Sequence, residues 1–248
     1  MSDRRSLAID ERDDRVVVTL DRPDRRNAID QRMVDELHAV CESLERAPRI
    51  LILIGAGGVF ASGADIAELR ERTAADAERG INDTIFSRIA ALPMPVIAAI
   101  DGYALGGGAE LAYAADLRIG TPRLRIGNPE TGLGIIAAAG ALWRLPQLVG
   151  LPLATELVLT GRILDGPEAL AAGLVSDLFE PAELLPAAHA LADRIAANDP
   201  LATRLTKRVL RAPLTEHPAA EREAQAQLFE SPEKRRRMTE FLNRRKTR

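Results

Sequence analysis

Sulfur and imidazole are scarce in this sequence. Its 248 residues include one cysteine, Cys41, and three histidines, His38, His189 and His217. A lone cysteine cannot close an intrachain disulfide, so a disulfide-stapled scaffold is excluded and no oxidising compartment is implied. Together these four residues show no metal-ligand spacing, so a histidine- or cysteine-built metal centre is not expected. Long apolar runs are lacking too. The longest uncharged stretch, residues 50–64, is interrupted by glycines and a serine and is too short to span a bilayer. The opening Met1-Ser2-Asp3-Arg4-Arg5 runs into charged residues 10–15 without the apolar core of a signal peptide. A soluble cytoplasmic protein with no membrane partner is the expectation.

Apolar residues make up 46% of the chain and charged residues 28%. That balance excludes collagen-like and disordered classes, and the length suits one large domain, alone or with a smaller appendage. Charge is unevenly placed. Eight basic against two acidic residues give positions 232–248 a formal +6, leaving −9 on the rest of a chain whose total is −3. Such a tail suits nucleic acid, a small phosphate ligand or an acidic partner, and equally a solvated helix face.

Strand-like segments at 7–10 and 16–20 lead to the turn Asp21-Arg22-Pro23-Asp24. Asp30 reads as the N-cap of a helix to about 45, with Met33, Leu37, Val40, Cys41 and Leu44 at helical spacing. Residues 50–54 and 96–100 are continuous apolar runs, as expected of strands covered on both faces. Between them Asp65 is a second N-cap candidate, and helical sequence extends to about 92 with a break near Gly80. A helix over 109–115 and short strands at 117–119 and 124–126 follow. This alternation predicts an α/β layered fold. Beyond about 150 the chain reads helical at 151–159, 167–172, 184–197, 201–210, 219–228 and 232–245, with one strand at 174–179. The expected division is an α/β core over 1–195 and a helical region over 196–248.

Two glycine-rich strand-to-helix turns stand out. One is Phe60-Ala61-Ser62-Gly63-Ala64-Asp65; the other is Gly102-Tyr103-Ala104-Leu105-Gly106-Gly107-Gly108-Ala109-Glu110. Neither has dinucleotide-binding or P-loop spacing. Small residues at a helix start leave amide N–H groups without intrahelical partners, so two such turns facing each other would form an oxyanion hole. Taken alone, they read first as tight turns where only small residues fit. Glu110 is either a dipole-compensating first-turn carboxylate or an acid/base group. Glu130, in Gly127-Asn128-Pro129-Glu130-Thr131-Gly132, is either a surface loop acid or its partner. Two carboxylates near one such hole could do acid/base work next to a carbonyl.

Taken in order, these pieces resemble the enoyl-CoA hydratase/isomerase (crotonase) family over nearly the whole chain. The matching segments are Arg22-Pro23-Asp24-Arg25-Arg26-Asn27-Ala28-Ile29-Asp30, the Phe60 to Asp65 loop, Gly102 to Glu110 with Asp116 after it, Gly127-Asn128-Pro129-Glu130, and Gly161-Arg162 through Gly173-Leu174-Val175. The resemblance implies an α/β crotonase-like spiral of repeated ββα units with a helical C-terminal region. It implies that the amides of Ala64 and Gly107 bind a thioester oxygen, and that Glu110 and Glu130 hold one water. It implies contacts to substrate or CoA from Arg25, Ala61, Ser62, Asp65, Ile66 and Gly106. In the tail, Phe241 would pack near the adenine and Arg244, or else Arg245 or Lys246, would meet phosphate. The implied activity is syn hydration of a trans-2-enoyl-CoA, a hydro-lyase reaction of fatty acid metabolism and β-oxidation. Alternatives are enoyl-CoA isomerisation, another enolate reaction such as decarboxylation, or silent acyl-CoA binding. No cofactor is implied, because the CoA thioester is the substrate. The implied partners are that thioester and further copies of the chain, as a homotrimer or homohexamer, with nucleic acid the disfavoured alternative. Two departures stand out. Ala137-Ala138-Ala139-Gly140-Ala141-Leu142-Trp143-Arg144 replaces the family's Pro-Gly-Ala-Gly-Gly-Thr-Gln-Arg, and Arg237 stands where glycine is usual. Ile135 and Trp143 are acyl-pocket candidates, although Leu142 and Trp143 read first as core residues.

Overall fold

Branched apolar residues build the central sheet. Strand β1 (Leu7–Glu11) pairs antiparallel with β2 (Arg15–Leu20), setting Leu7 opposite Leu20. The computed structural model describes residues 5–246, with side chains to residue 244. Helix α1 (Gln31–Arg46) starts at Asp30, whose side chain accepts from the Met33 amide at 2.9 Å. Its stripe of Met33, Val34, Leu37, Val40, Cys41 and Leu44 is buried in the core. Strand β3 (Ile50–Gly55) then runs parallel to β2. Helices α2 (Ile66–Glu71), α3 (Ala74–Glu78) and α4 (Ile81–Ala91) follow, and Gly80 at φ +60° separates the last two. Strand β4 (Val96–Ile100) returns parallel to β3 and is buried along its whole length.

After β4 the chain turns at Gly102 into β5 (Tyr103–Leu105) and α5 (Gly107–Ala114). Strand β6 (Leu117–Gly120) pairs parallel with β4 and completes a sheet of order β1-β2-β3-β4-β6. Strand β7 (Arg125–Gly127), helices α6 (Ala141–Val149) and α7 (Leu151–Thr160), strand β8 (Ile163–Asp165) and helix α8 (Gly166–Ala171) come next. A second sheet, β5-β7-β8, is antiparallel only between its last two strands. Four helices follow: α9 (Leu184–Ala196), α10 (Pro200–Leu210), α11 (Ala219–Phe229) and α12 (Pro232–Lys246).

The chain divides into two compact units, Met1–Ala192 and Asp193–Arg248. In the second, α10 packs on α11. On α12 Arg236 bridges Glu233 and Glu240, and Arg237 donates to the Ala197 carbonyl at 2.9 Å. Among the described residues no helix is long and apolar enough to cross a membrane.

The strand expected over 174–179 does not form. Leu174 and Val175 turn into the core, and only a single bridge joins Leu178 to Gly120 at the edge of β6. Three elements were not expected: β5 and β8, each three residues long, and α6, whose sequence contains Pro146.

One buried polar residue fastens the loops that reach the site. Asn27, fully buried at φ +54°, donates to the carbonyls of Ala56 (2.9 Å) and Val59 (2.6 Å) and accepts from the Arg22 amide (2.9 Å). Replacing it with alanine strands three part-buried backbone groups. Asn27→Ala is expected to lower the unfolding free energy by about 1–3 kcal/mol, read from the midpoint of urea denaturation.

Candidate active site

The site is assembled from two backbone segments that lie on each other. The 61–65 loop is held on one side by β5: the Ala61 amide donates to the Tyr103 carbonyl and the Leu105 amide to the Ala61 carbonyl, both at 3.0 Å. On the other side the Ile29 amide donates to the Gly63 carbonyl (2.8 Å) and the Asp65 amide to the Ile29 carbonyl (2.9 Å). Arg22 adds an ion pair to Asp30 (3.1 Å) and another to Asp65 (3.4 Å). Asp65 also caps α2, accepting from the Ala67 amide at 3.1 Å.

The first turn of α5 packs against this loop. A Cβ on Gly108 would lie 2.3 Å from the Ala61 carbonyl oxygen, and one on Gly107 would lie 3.4 Å from the Ala64 amide nitrogen. Gly107 is the first residue of α5, so its amide has no intrahelical acceptor. Among the described residues neither the Ala64 nor the Gly107 amide donates a hydrogen bond within the chain. The two turns therefore do face each other, and they leave two donors open.

Both glutamates reach the same cavity. Its volume is about 660 Å³, and its wall includes Ala64, Gly107, Glu110 and Glu130. Glu110 is 3% exposed, and its Oε1 accepts from the amides of Ala139 (2.7 Å) and Ala141 (3.1 Å). Burial is the largest influence on this carboxyl and pushes its pKa up to about 7. The two amides and Arg144 oppose that shift, while Glu130 reinforces it. Glu130 is 9% exposed, so it is no surface loop acid, and burial raises its pKa as well. Its Oε1 accepts from Asn128 Nδ2 at 3.3 Å, and its Oε2 is buried with no hydrogen-bond partner among the described residues. Gly106 sits at φ +51°, where a side chain is strained, and a Cβ there would lie a tight 3.1 Å from Glu130 Oε1.

Of the remaining candidates, Ser62, Ile66, Gly106 and Ile135 line the cavity. Asp65 caps α2 and does not line the cavity. Ala61 is fully buried in the supporting loop, and Arg25 is exposed on the turn that follows β2; neither lines the cavity. Trp143 does not line it either, and neither Trp143 nor Leu142 is a core residue: they are 51% and 47% exposed. The inward face of α6 is Ala141, Arg144 and Leu145, which leaves those two side chains pointing outward; the Arg144 guanidinium sits 3.9 Å from the centre of the Trp143 ring. In the second unit Phe241 is 60% exposed on α12 and Arg244 is exposed as well. The side chains of Arg245 and Lys246 lie outside the described residues. Sequence reasoning missed the apolar lining from Leu69, Ile81, Leu133 and Ile136, together with Asn82. It also missed that Ala139 and Ala141 supply amides to Glu110; the small-residue run of 137–141 was the available signal.

The enoyl-CoA hydratase/isomerase family model matches residues 12–248. A short-chain-enoyl-CoA hydratase of Clostridium acetobutylicum is 38% identical, over 93% of this chain and 92% of its own. A crotonyl-CoA hydratase of Syntrophomonas wolfei is 33% identical, over 97% and 96%. A solved enoyl-CoA hydratase from Bacillus anthracis superposes with a TM-score of 0.91 at 31% identity, covering 96% of each chain.

The raised Glu110 value has a thermodynamic consequence. Between pH 4.5 and about 7 the folded protein keeps a proton that the unfolded chain has released. Stability therefore falls as pH rises through that window, by an amount on the order of 3 kcal/mol. Glu110→Gln keeps an oxygen for the Ala139 and Ala141 amides and removes the charge. Above pH 7 the variant is expected to unfold at higher urea than wild type, and near pH 4.5 the two midpoints should converge.

Proposed function

The chain belongs to the enoyl-CoA hydratase/isomerase family, and from that membership we propose that it adds water syn across the double bond of a trans-2-enoyl-CoA. The observation that carries the reading is the convergence of two buried carboxylates and two undonated backbone amides on one cavity. In this reading the amides of Ala64 and Gly107 form an oxyanion hole for the thioester oxygen. Burial raises the pKa of both carboxyls, and in this reading one member of the pair is protonated while the other is ionised. The ionised member takes a proton from water as the hydroxyl adds to the β carbon. The double-bond electrons move onto the thioester oxygen, and the protonated member then supplies the α carbon. Proton count is conserved, and both deliveries come from the face on which the glutamates lie.

This chemistry calls for no cofactor beyond the CoA carried by the substrate. The proposal extends to a cytoplasmic enzyme of fatty acid β-oxidation assembled as a homotrimer or homohexamer. The helical region would serve assembly and CoA cover, with Phe241 and Arg244 as contacts to the nucleotide end. Met238, Phe241 and Leu242, all more than half exposed on α12, support an assembly role.

Hydration of short, medium and long trans-2-enoyl-CoAs tests the reading. Glu110→Gln and Glu130→Gln should each lower kcat by about 10²–10⁴. Turnover that survives Glu110→Gln would instead point to one-carboxylate chemistry such as double-bond isomerisation. Binding of every chain length without turnover would mark a silent acyl-CoA binder.

A further inference from the structure

Helix α5 carries a second polar group behind the site. Tyr113 follows Glu110 by three residues, hence on the same side of the helix, and is 3% exposed. Its neighbours on α5 are Leu111, Ala112 and Ala114, so a phenylalanine would satisfy the packing; the hydroxyl needs a partner, and has one. It donates to Asn128 Oδ1 at 3.1 Å. Asn128, 1% exposed, donates from Nδ2 to Glu130 Oε1 at 3.3 Å and to the Gly106 carbonyl at 3.4 Å.

The direction of this chain matters. A reversed Asn128 amide would set Oδ1 against two acceptors, the Gly106 carbonyl and an ionised Glu130. The Tyr113 hydroxyl opposes that reversal by claiming Oδ1. Burial pushes the phenol's pKa upward, which keeps it a donor. With the amide fixed, Glu130 Oε1 is occupied and the buried Oε2 is left for a ligand.

We propose that Tyr113 is a positioning residue for Glu130, acting through Asn128 to fix the orientation of its carboxylate and to favour its ionised form. The inference rests on the hydratase reading for its catalytic meaning. The charged groups facing this network are Glu110 on α5, Arg144 beyond it on α6, and Arg118 on β6 near Tyr113; none of them hydrogen-bonds to Glu130 among the described residues.

The test compares wild type with Tyr113→Phe, using crotonyl-CoA as substrate. Expected is a fall in kcat of about tenfold to a hundredfold, as for a slightly misplaced reacting group, with KM little changed. The acid limb of kcat/KM should move to higher pH by about 0.5–1 unit, the worth of one hydrogen bond. In an Asn128→Ala background the same substitution should cost nothing further. Independent additive losses would overturn the proposal, as would a drop in kcat and Tm with no movement of the acid limb. Infrared titration of the buried carboxyls, with Glu130→Gln to assign the Glu130 band, gives a readout without turnover. If wild type hydrates nothing, the hydratase reading fails, while the titration still judges Tyr113. A Glu130 band that titrates identically in both proteins sinks the positioning role.

Discussion

The site depends on one close approach, between the Ala61 carbonyl and the first turn of α5. A Cβ at Gly108 would come within 2.3 Å of that oxygen, so any side chain there must drive loop and helix apart. The same contact brings the Ala64 amide beside Gly107. The loop cannot retreat, because β5 holds it from one side while residues 22–30 clamp it from the other. Asn27 secures that clamp from beneath with three hydrogen bonds to backbone. Much of the early motif is thus scaffolding for the position of a single amide.

Glu110 shows which electrostatic effect wins at this contact. Its place in the first turn of α5 exposes it to the positive end of the helix dipole, worth about 0.3–1 kcal/mol at an accessible site. Two backbone amides also donate to it, and Arg144 lies nearby. All of these favour the carboxylate. Its pKa nevertheless rises to about 7, because burial at 3% exposure outweighs them and Glu130 adds repulsion. A first-turn carboxylate placed only to complement the dipole would have been lowered. The fold accepts this local cost because its apolar core, which includes the fully buried Val18, Leu53 and Ile100, supplies the stability.

The parallel strands were legible because burial on both faces makes them continuous apolar runs, as in residues 50–54 and 96–100. The caps at Asp30 and Asp65 were legible because a side-chain oxygen before a helical pattern has few other uses. Three-residue strands such as β5 and β8 carry too few residues to show a period. The stretch at 174–179 has strand-like composition, yet Leu174 and Val175 fold inward after α8, and the pairing with β6 is confined to one bridge at Leu178. At the site, Glu110, Glu130 and the two glycine turns could be named as residues, but their convergence is a property of β5 pairing with β7 and of the bridge from Ala61 to Ala104. Trp143 was misplaced because no helix was expected over 141–149, so nothing but its apolar character assigned it a side. On α6 the inward position beside it belongs to Arg144, whose guanidinium stacks on the outward ring.

The two glutamates are held by different devices, and the difference constrains what each can do. Glu110 is gripped by main-chain amides of a segment rich in alanine, whose positions are fixed by the backbone and cannot be retuned by one side chain. Glu130 is gripped by a single side-chain amide whose orientation is itself set by a hydroxyl. A backbone cradle resists reorientation through a proton transfer, whereas a side-chain donor can relax with the group it serves. The pair therefore combines a carboxyl held by main chain with one held by side chains in the same cavity. Glu110 is thus tied to the backbone of Ala139 and Ala141, while the hold on Glu130 passes through two side chains, Asn128 and Tyr113.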